Sequence, residues 1–397
     1  MSLDTERPEE FSLFDPRRRV DPYPAYAALH AVGGPEARLR RTAFGPWLSP
    51  SHGVCAQVLR DPAFGRAEQP DDGRTRSFLA LNPPDHTRLR RLAAKAFTPR
   101  LVEALRPRIE RLADELLDRA LREPEFDLVR EFAHPLPVIV ISELLGVPAE
   151  DRDRFAAWSQ ALARGIDPEF LLPPETLAVL DAARAEFDGY FRELAARRRA
   201  EPAADLLSAL VAVCDEGESL SEAELTATCT LLLIAGHETT VNLIANGVLA
   251  LLRHPAELAW FRAHPEAAPQ VVEELLRFDP PVQLTMRTAL RDAEVEGRTV
   301  AAGEQVLLLL GAANRDPAVF AEPDRLDLRR SAEAERHLAF GLGIHFCLGA
   351  SLARLEGQIA LAAFARRVAA PRLGDAGPVH RENLILRGPA VLPVRHG

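Results

Sequence analysis

The chain has 397 residues, 47% of them hydrophobic, and a formal net charge of −10. The acidic balance argues against a nucleic-acid partner, and the apolar content is enough for a large core. The four cysteines, Cys55, Cys214, Cys229 and Cys347, are widely spaced and form no C-x-x-C pair, which argues against a zinc site or a dithiol redox centre.

No repeat and no Gly-, Ser- or Pro-rich linker divides the chain, so one large domain spanning 1–397 is expected. The opening "MSLDTERPEEFSLFDPRRR" lacks the basic-then-apolar order of a signal peptide. The longest apolar stretch, around Leu231 to Ala235, falls far short of the roughly 20 residues of a membrane span. A soluble, cytoplasmic protein with reduced cysteines is expected. Cys55, Cys214 and Cys229 sit in apolar helical contexts and read as small core residues.

In chain order, a strand-like segment at 37–49 comes first. Apolar residues at three- and four-residue spacing then predict helices over 100–120, 127–146, 173–200 and 204–216, with a loop at 164–174. A long helix follows, about 221–253, opened by the capping-box pair Ser221 and Glu224. Strand-like segments recur at 284–297, 304–314 and 385–394, and a helix follows Cys347. The fold class is mainly α with small β-sheets.

Two stretches carry chemistry. Within the long helix, "AGHETT" (235–240) places Gly236 and several hydrogen-bonding side chains in an apolar run. Glycine there costs roughly 1 kcal/mol relative to alanine, and Thr239 and Thr240 can bond back to carbonyls one turn earlier and bend the helix. Such an interruption marks either a functional site or a packing kink. The second stretch is "HLAFGLGIHFCLGASLARLE" (337–356). Glycines 341, 343 and 349 give the backbone freedom on both sides of Cys347. A helix start just after the sulfur favours its thiolate, and Phe340 offers a ring to shield it. The pattern suits a metal-ligating thiolate; a nucleophilic cysteine is the competing reading, with His345 as its nearest base.

The segment "FGLGIHFCLGASLARLE" resembles the heme-binding loop of the cytochrome P450 superfamily, F-x-x-G-x-x-x-C-x-G, with Phe340, Gly343, Cys347 and Gly349 at the fixed positions. The resemblance implies a cytochrome P450 fold, with heme b between the central long helix and the cysteine loop and following helix, and Cys347 as the iron ligand. The weak pattern E-x-x-R occurs at 103–106, 274–277, 322–325 and 333–336. Only Glu274 and Arg277 precede a segment like the family's, "FDPPVQLTMRTA", and the resemblance implies that they form a structural triad with Arg325 of "NRDPAVFAEPDRLDLRR".

"AGHETT" is similar to the family's oxygen-activating segment. It implies that Glu238 and Thr239 deliver protons to bound dioxygen, with Ala235 and Gly236 against the cofactor; His237 as an iron ligand fits less well. "PPDHTRLRRLAAKAF" (83–97) resembles the helix whose cations meet the heme propionates. His86 and Arg90 of that segment, and Arg287 and His345 at other positions that match the family's, are the cations the resemblance implies for the propionates, and Gly341 of the cysteine loop joins the expected cofactor-binding set.

By the same resemblance the substrate pocket includes Leu79, Leu81, Ile234, Ala235, Val282, Leu284 and Leu384, largely apolar. The expected activity is insertion of one oxygen atom of O2 into a hydrophobic small molecule, free or tethered to a carrier protein. No flavin or iron–sulfur motif is present. Electrons from NAD(P)H are therefore expected to arrive through a separate ferredoxin reductase and ferredoxin, and a monomer is expected. Arg88, Arg91, Lys95 and Arg354 are expected to form a basic patch for the ferredoxin. The alternatives are a peroxygenase, an isomerase or dehydratase on the same heme-thiolate scaffold, and a non-catalytic heme sensor.

Overall fold

The computed structural model describes residues 20–32, 38–43, 45–68, 75–169, 172–215, 218–330 and 336–397. Parts of the readings for the N-terminal opening, the strand-like segment at 37–49, the loop at 164–174, the helix at 204–216 and the E-x-x-R pattern at 333–336 lie outside these. The chain forms two compact units, each built from separated stretches. One holds Met1–Glu68, Ala245–Cys347 and Asp375–Leu392, the other Gln69–Ile244, Leu348–Gly374 and Pro393–Gly397.

The first unit is organised by a five-stranded sheet with strands β1 (Arg40–Arg41), β2 (Trp47–Ser49), β3 (Phe64–Gly65), β4 (Thr285–Ala289) and β5 (Gln305–Leu308). Their order is β1-β2-β5-β4-β3. β2 and β5 run parallel, with Trp47 opposite Val306; β4 is antiparallel to both β5 and β3. One hydrophobic cluster gathers Leu39, Val54, Phe64, Val295, Val306 and Leu338, and another gathers Tyr26, Leu29, Leu48, Leu284 and Leu309. The segment at 304–314 is therefore a strand followed by a helical turn, Leu310–Ala313, rather than one strand.

The second unit is helical. In Arg106–Ala120 the buried residues Ile109, Leu112, Ala113, Leu116, Leu117 and Ala120 recur with helical period. Phe155, Trp158, Phe187, Tyr190 and Phe191 form an aromatic cluster, with the rings of Phe187 and Phe191 stacked at 4.4 Å. The helix expected over 127–146 is interrupted. A strand ends at Asp127, a π-helical turn spans Val129–Ala133, and the α-helix is Pro135–Leu144. Pro135 cannot donate a backbone hydrogen bond, so it is found at the first position of the new helix. The helix expected over 204–216 is Leu206–Ala212, capped by Asp205, whose carboxylate accepts from the Ser208 N–H at 2.7 Å.

The long helix is Glu222–Arg253. Its capping box is complete: the Ser221 N–H donates to Glu224 at 2.8 Å and the Glu224 N–H to Ser221 Oγ at 3.2 Å. The secondary structure runs unbroken through Gly236. Among the described residues no helix is long and apolar enough to cross a membrane.

Candidate active site

The cysteine loop, in the first unit, owes its shape to two glycines. Gly341 and Gly343 have φ of +66° and +70°, the left-handed region that other residues resist. A Cβ on Gly343 would also lie 2.2 Å from the Leu59 carbonyl oxygen. The loop closes with the Cys347 N–H donating to the Phe340 carbonyl and the Phe346 N–H to that of Gly343, both at 3.0 Å. Cys347 emerges exposed and reduced. Cys55 and Cys229 are fully buried, and burial pushes the Cys229 thiol up to about 12 and Cys55 higher still, as inert core residues should be. The side chain of Cys214 lies outside the described residues. Gly349 departs from the expectation: its φ is −84°, so no left-handed turn requires it.

Cations gather in the same unit. The antiparallel register of β3 against β4, Gly65 opposite Thr288, brings Arg66 beside Arg287. Both guanidinium groups reach the Met286 carbonyl, Arg287 at 2.9 Å and Arg66 at 3.4 Å. Arg287 is 5% exposed; burial, then the charge of Arg66, pushes it down to about 9, and burial lowers Arg66 as well. Two like charges side by side, Arg287 buried and Arg66 partly buried, are the counterpart of an anionic group. The carboxylates of a heme suit them, and an exposed thiol on a glycine-shaped loop suits its iron, so the residues present fit the cofactor. The sequence reading named Arg287 and missed Arg66, which only strand register reveals. His345 lies partly buried in the turn Gly343–His345. In the second unit His86, 2% exposed, and Arg90 flank the Phe78 ring, with centroid distances of 6.4 Å and 5.9 Å.

On the long helix, Thr239 donates to the Ala235 carbonyl at 2.9 Å and Thr240 to that of Gly236 at 3.2 Å, the expected back-bonds. Ala235 is exposed in an otherwise largely buried turn. Glu238 is 4% exposed, with Oε2 3.6 Å from His237 Nε2. His237 is fully buried and bonded to Ser159 and to the Leu233 carbonyl, which does not suit an iron ligand.

The structural triad is corrected in its third member. Arg277 forks onto Glu274 at 2.7 and 2.8 Å, both buried. The second cation on Glu274 is Arg330, Nε to Oε2 3.2 Å, not Arg325. Arg325 is exposed and paired with Glu322; its contribution is a carbonyl that accepts from Arg277 at 3.1 Å. Arg330 is the less exposed of the two, its side chain 16% exposed against 56% for Arg325, with its other nitrogens toward the carbonyls of Ala321 and Glu322. The pairs Glu103–Arg106 and Glu322–Arg325 are solvent-exposed.

The pocket reading also needs a correction. Leu284 is 6% exposed and packs with Tyr26, Leu29 and Leu48, so it is core. Leu384 packs partly on that cluster, and Val282 on the neighbouring one. In the second unit Leu81 packs against Phe78 and Leu89, Ile234 is half-buried, and Leu79 is 41% exposed. The basic patch is weaker than expected: Arg88 is paired with Glu224 and Arg91 with Glu218.

An exposed thiol on a left-handed loop, a pair of neighbouring arginines and an acid–alcohol pair on a long helix are the equipment of a heme-thiolate oxidoreductase. Comparison with known proteins agrees. The family model for Cytochrome P450 matches residues 56–259 and 264–369. The chain is 45% identical to the "Vitamin D(3) 25-hydroxylase" of Pseudonocardia autotrophica, over 100% of this chain and 99% of that protein. It resembles the structure of cytochrome P450 CYP109Q5 from Chondromyces apiculatus with a TM-score of 0.88, at 35% identity, covering 98% and 99% of the two chains. It matches P450BioI, solved in complex with an acyl carrier protein ligated to hexadec-9Z-enoic acid, with a TM-score of 0.88, 38% identity and coverage of 96% and 100%. The chain belongs to the cytochrome P450 family, and it is an oxygen-incorporating, heme-dependent oxidoreductase.

Proposed function

We propose that this enzyme inserts one oxygen atom of O2 into a hydrophobic small molecule, with Cys347 as the thiolate ligand of heme b. The observation that carries the reading is the exposed Cys347 sulfur on a loop that turns through the left-handed conformations of Gly341 and Gly343. When bound, the heme supplies dioxygen activation, with the thiolate donating electron density to the iron.

The other roles belong to the chain. Arg287, Arg66, His86, Arg90 and His345 neutralise the propionates. Phe340, Gly341 and Gly349 shape the cofactor's thiolate side, and Ala235 keeps the helix surface low where the cofactor approaches, with Gly236 next to it facing Ile141. Thr239 holds a hydroxyl beside that surface, and Glu238 gives and regains a proton. Glu274, Arg277 and Arg330 brace the segment that leads into the cysteine loop. The family match crosses both compact units, which supports a single heme domain over 1–397; in this reading it acts as a monomer.

Leu79, Leu81, Ile234, Ala235, Val282 and Leu384 supply apolar lining. An apolar substrate of steroid, polyketide, terpenoid or fatty acyl type suits it. The vitamin D(3) hydroxylase among the relatives and the acyl carrier protein complex among the similar structures support the class, free or carrier-tethered. Electrons from NAD(P)H arrive through a ferredoxin reductase and a ferredoxin.

The test is the absorption spectrum of the dithionite-reduced protein under carbon monoxide. The red-shifted Soret band for which the family is named is expected, and it should be lost in Cys347→His. A wild-type band at the position of a neutral-thiol or imidazole heme, or folded protein that takes up no hemin, would overturn the reading.

A further inference from the structure

The segment that enters the cysteine loop is held by side chains at three backbone groups, all within the first unit. His52, which opens the helix His52–Arg60, has Nε2 3.0 Å from the Arg336 carbonyl oxygen. The Leu338 N–H donates to Asn314 Oδ1 at 2.7 Å, and the Asn314 carbonyl accepts from Arg277 at 3.1 Å, which ties that amide to the structural triad. The Ala339 N–H donates to Nδ1 of His337 at 3.1 Å. A ring nitrogen that accepts carries no hydrogen, so the hydrogen of the His337 ring is on Nε2, which donates to Glu273 Oε2 at 3.2 Å. The His337 side chain is only 6% exposed, and its ring lies 5.9 Å from that of Phe340. Leu338 to Gly341 form a four-residue turn, closed by the Gly341 N–H donating to the Leu338 carbonyl at 2.8 Å. In such a turn the N–H of the second residue finds no partner inside the turn, and here that is the N–H that His337 accepts. The carbonyl of the third residue, Phe340, accepts the Cys347 N–H at 3.0 Å.

We infer that His337 is a positioning residue for the Cys347 sulfur: by accepting the Ala339 N–H it fixes the turn whose Phe340 carbonyl holds the Cys347 N–H, and Glu273 fixes the ring that does so. This rests on Cys347 being the heme ligand. His337 acts through two peptide groups and moves no proton. Its bond to the N–H two residues on is the one that Asn and Asp side chains make in tight turns. Histidine adds a second anchor, because Nε2 reaches Glu273 on the helix Ala268–Phe278, the helix that also carries Glu274 and Arg277. The turn is thus tied to that helix twice, through His337 and through Asn314. When the Nδ1 acceptor is removed, the Ala339 N–H loses its protein partner and the turn is free to rotate. The Phe340 carbonyl then leaves the Cys347 N–H, and the sulfur is held less firmly toward the iron.

Three variants of the heme-loaded enzyme separate the two bonds. Asparagine carries Oδ1 on Cγ as histidine carries Nδ1, so His337→Asn keeps the acceptor for Ala339 and loses Glu273. His337→Gln sets an amide nitrogen near the place of Nε2 and keeps only the bond to Glu273. His337→Phe keeps the ring volume and neither bond. The readout is the rate at which the ferrous–carbon monoxide form passes from the red-shifted thiolate band to the neutral-thiol band, at one temperature and one pH. His337→Asn should stay within about twofold of wild type, while Gln and Phe should convert about tenfold faster, the factor that one lost hydrogen bond implies. Packing alone predicts the reverse, with Phe slowest and Asn fastest. A second measurement needs no variant: in NMR amide exchange of the diamagnetic wild-type ferrous–carbon monoxide form, the Ala339 N–H should exchange as slowly as that of Cys347. Any order of rates other than Asn slow with Gln and Phe fast, or an Ala339 amide that exchanges like a free turn amide, would overturn the inference. With a normal wild-type carbon monoxide band, those results overturn only the role of His337, while an abnormal wild-type band overturns the heme-thiolate reading itself.

Discussion

Removing Arg330 should destabilise the enzyme far more than removing Arg325. The carboxylate of Glu274 is almost wholly buried and carries Arg277 as a fork, the Asp327 N–H at 3.0 Å, and Arg330 at 3.2 Å. At that separation and an effective dielectric of about 20, the attraction between Arg330 and Glu274 is about 5 kcal/mol. Desolvation of the two groups offsets much of this, and Arg277 continues to neutralise the carboxylate when Arg330 is gone. The Ala321 carbonyl, held at 2.9 Å, also loses its donor. The expected loss for Arg330→Ala is about 2–4 kcal/mol. Arg325 is exposed and its ion pair with Glu322 is solvated, so Arg325→Ala should leave stability nearly unchanged. Urea unfolding, followed by tryptophan fluorescence and by Soret absorbance, measures both. Equal losses in the two variants, or none in Arg330→Ala, would refute the assignment of Arg330 to the triad.

Gly343→Ala should abolish the thiolate-type carbon monoxide band, since its Cβ meets the Leu59 carbonyl oxygen. Gly341→Ala, whose nearest neighbour is 3.9 Å away, should retain most of that band at a strain of about 1–2 kcal/mol. Arg287→Gln should make heme-free protein more resistant to urea and heme-loaded protein less so. In heme-free wild type, Arg287's penalty is full below about 9 and is relieved as the pH rises beyond it, because the folded group then releases a proton that the unfolded chain keeps. Glu356 is buried, with no hydrogen-bond partner for Oε2 among the described residues, and burial holds its carboxyl well above the usual range. The folded protein keeps that proton where the unfolded chain has lost it, so stability falls as pH rises past the unfolded carboxyl value. The slope is at most about 1.4 kcal/mol per pH unit, and it ends when the folded group also titrates. Glu356→Gln should therefore be the more stable form in alkaline urea titrations, with the gap closing near about pH 4.

What could be read in the sequence was local. Ser221 and Glu224 meet across one helical turn, Thr239 and Thr240 bond four residues back, and Glu274 and Arg277 share a helix face, so spacing alone places each pair. The left-handed turns at Gly341 and Gly343 are equally local. What escaped was set by tertiary placement. Arg325 and Arg330 stand in one irregular segment with no period to say which turns inward. Arg66 meets Arg287 only through strand register. Leu284 looks like any apolar residue until its packing partners Tyr26, Leu29 and Leu48 are known. Arg88 and Arg91 are charged in any reading, but their partners Glu224 and Glu218 are more than a hundred residues away in sequence.

The parallel pairing of β2 with β5 bears on how the protein is made. Trp47 finds its partner Val306 259 residues later. At about 5–20 residues per second on the ribosome, roughly 10–50 s pass between the emergence of the two strands. During that interval β2 has only the two-residue strand β1 beside it, and its other edge is unpaired. Chain closure over such a length adds an entropy that grows only slowly with loop length, so the finished sheet is little penalised. The exposure falls on the nascent chain, whose open strand edge is a template for pairing with other chains until β5 arrives.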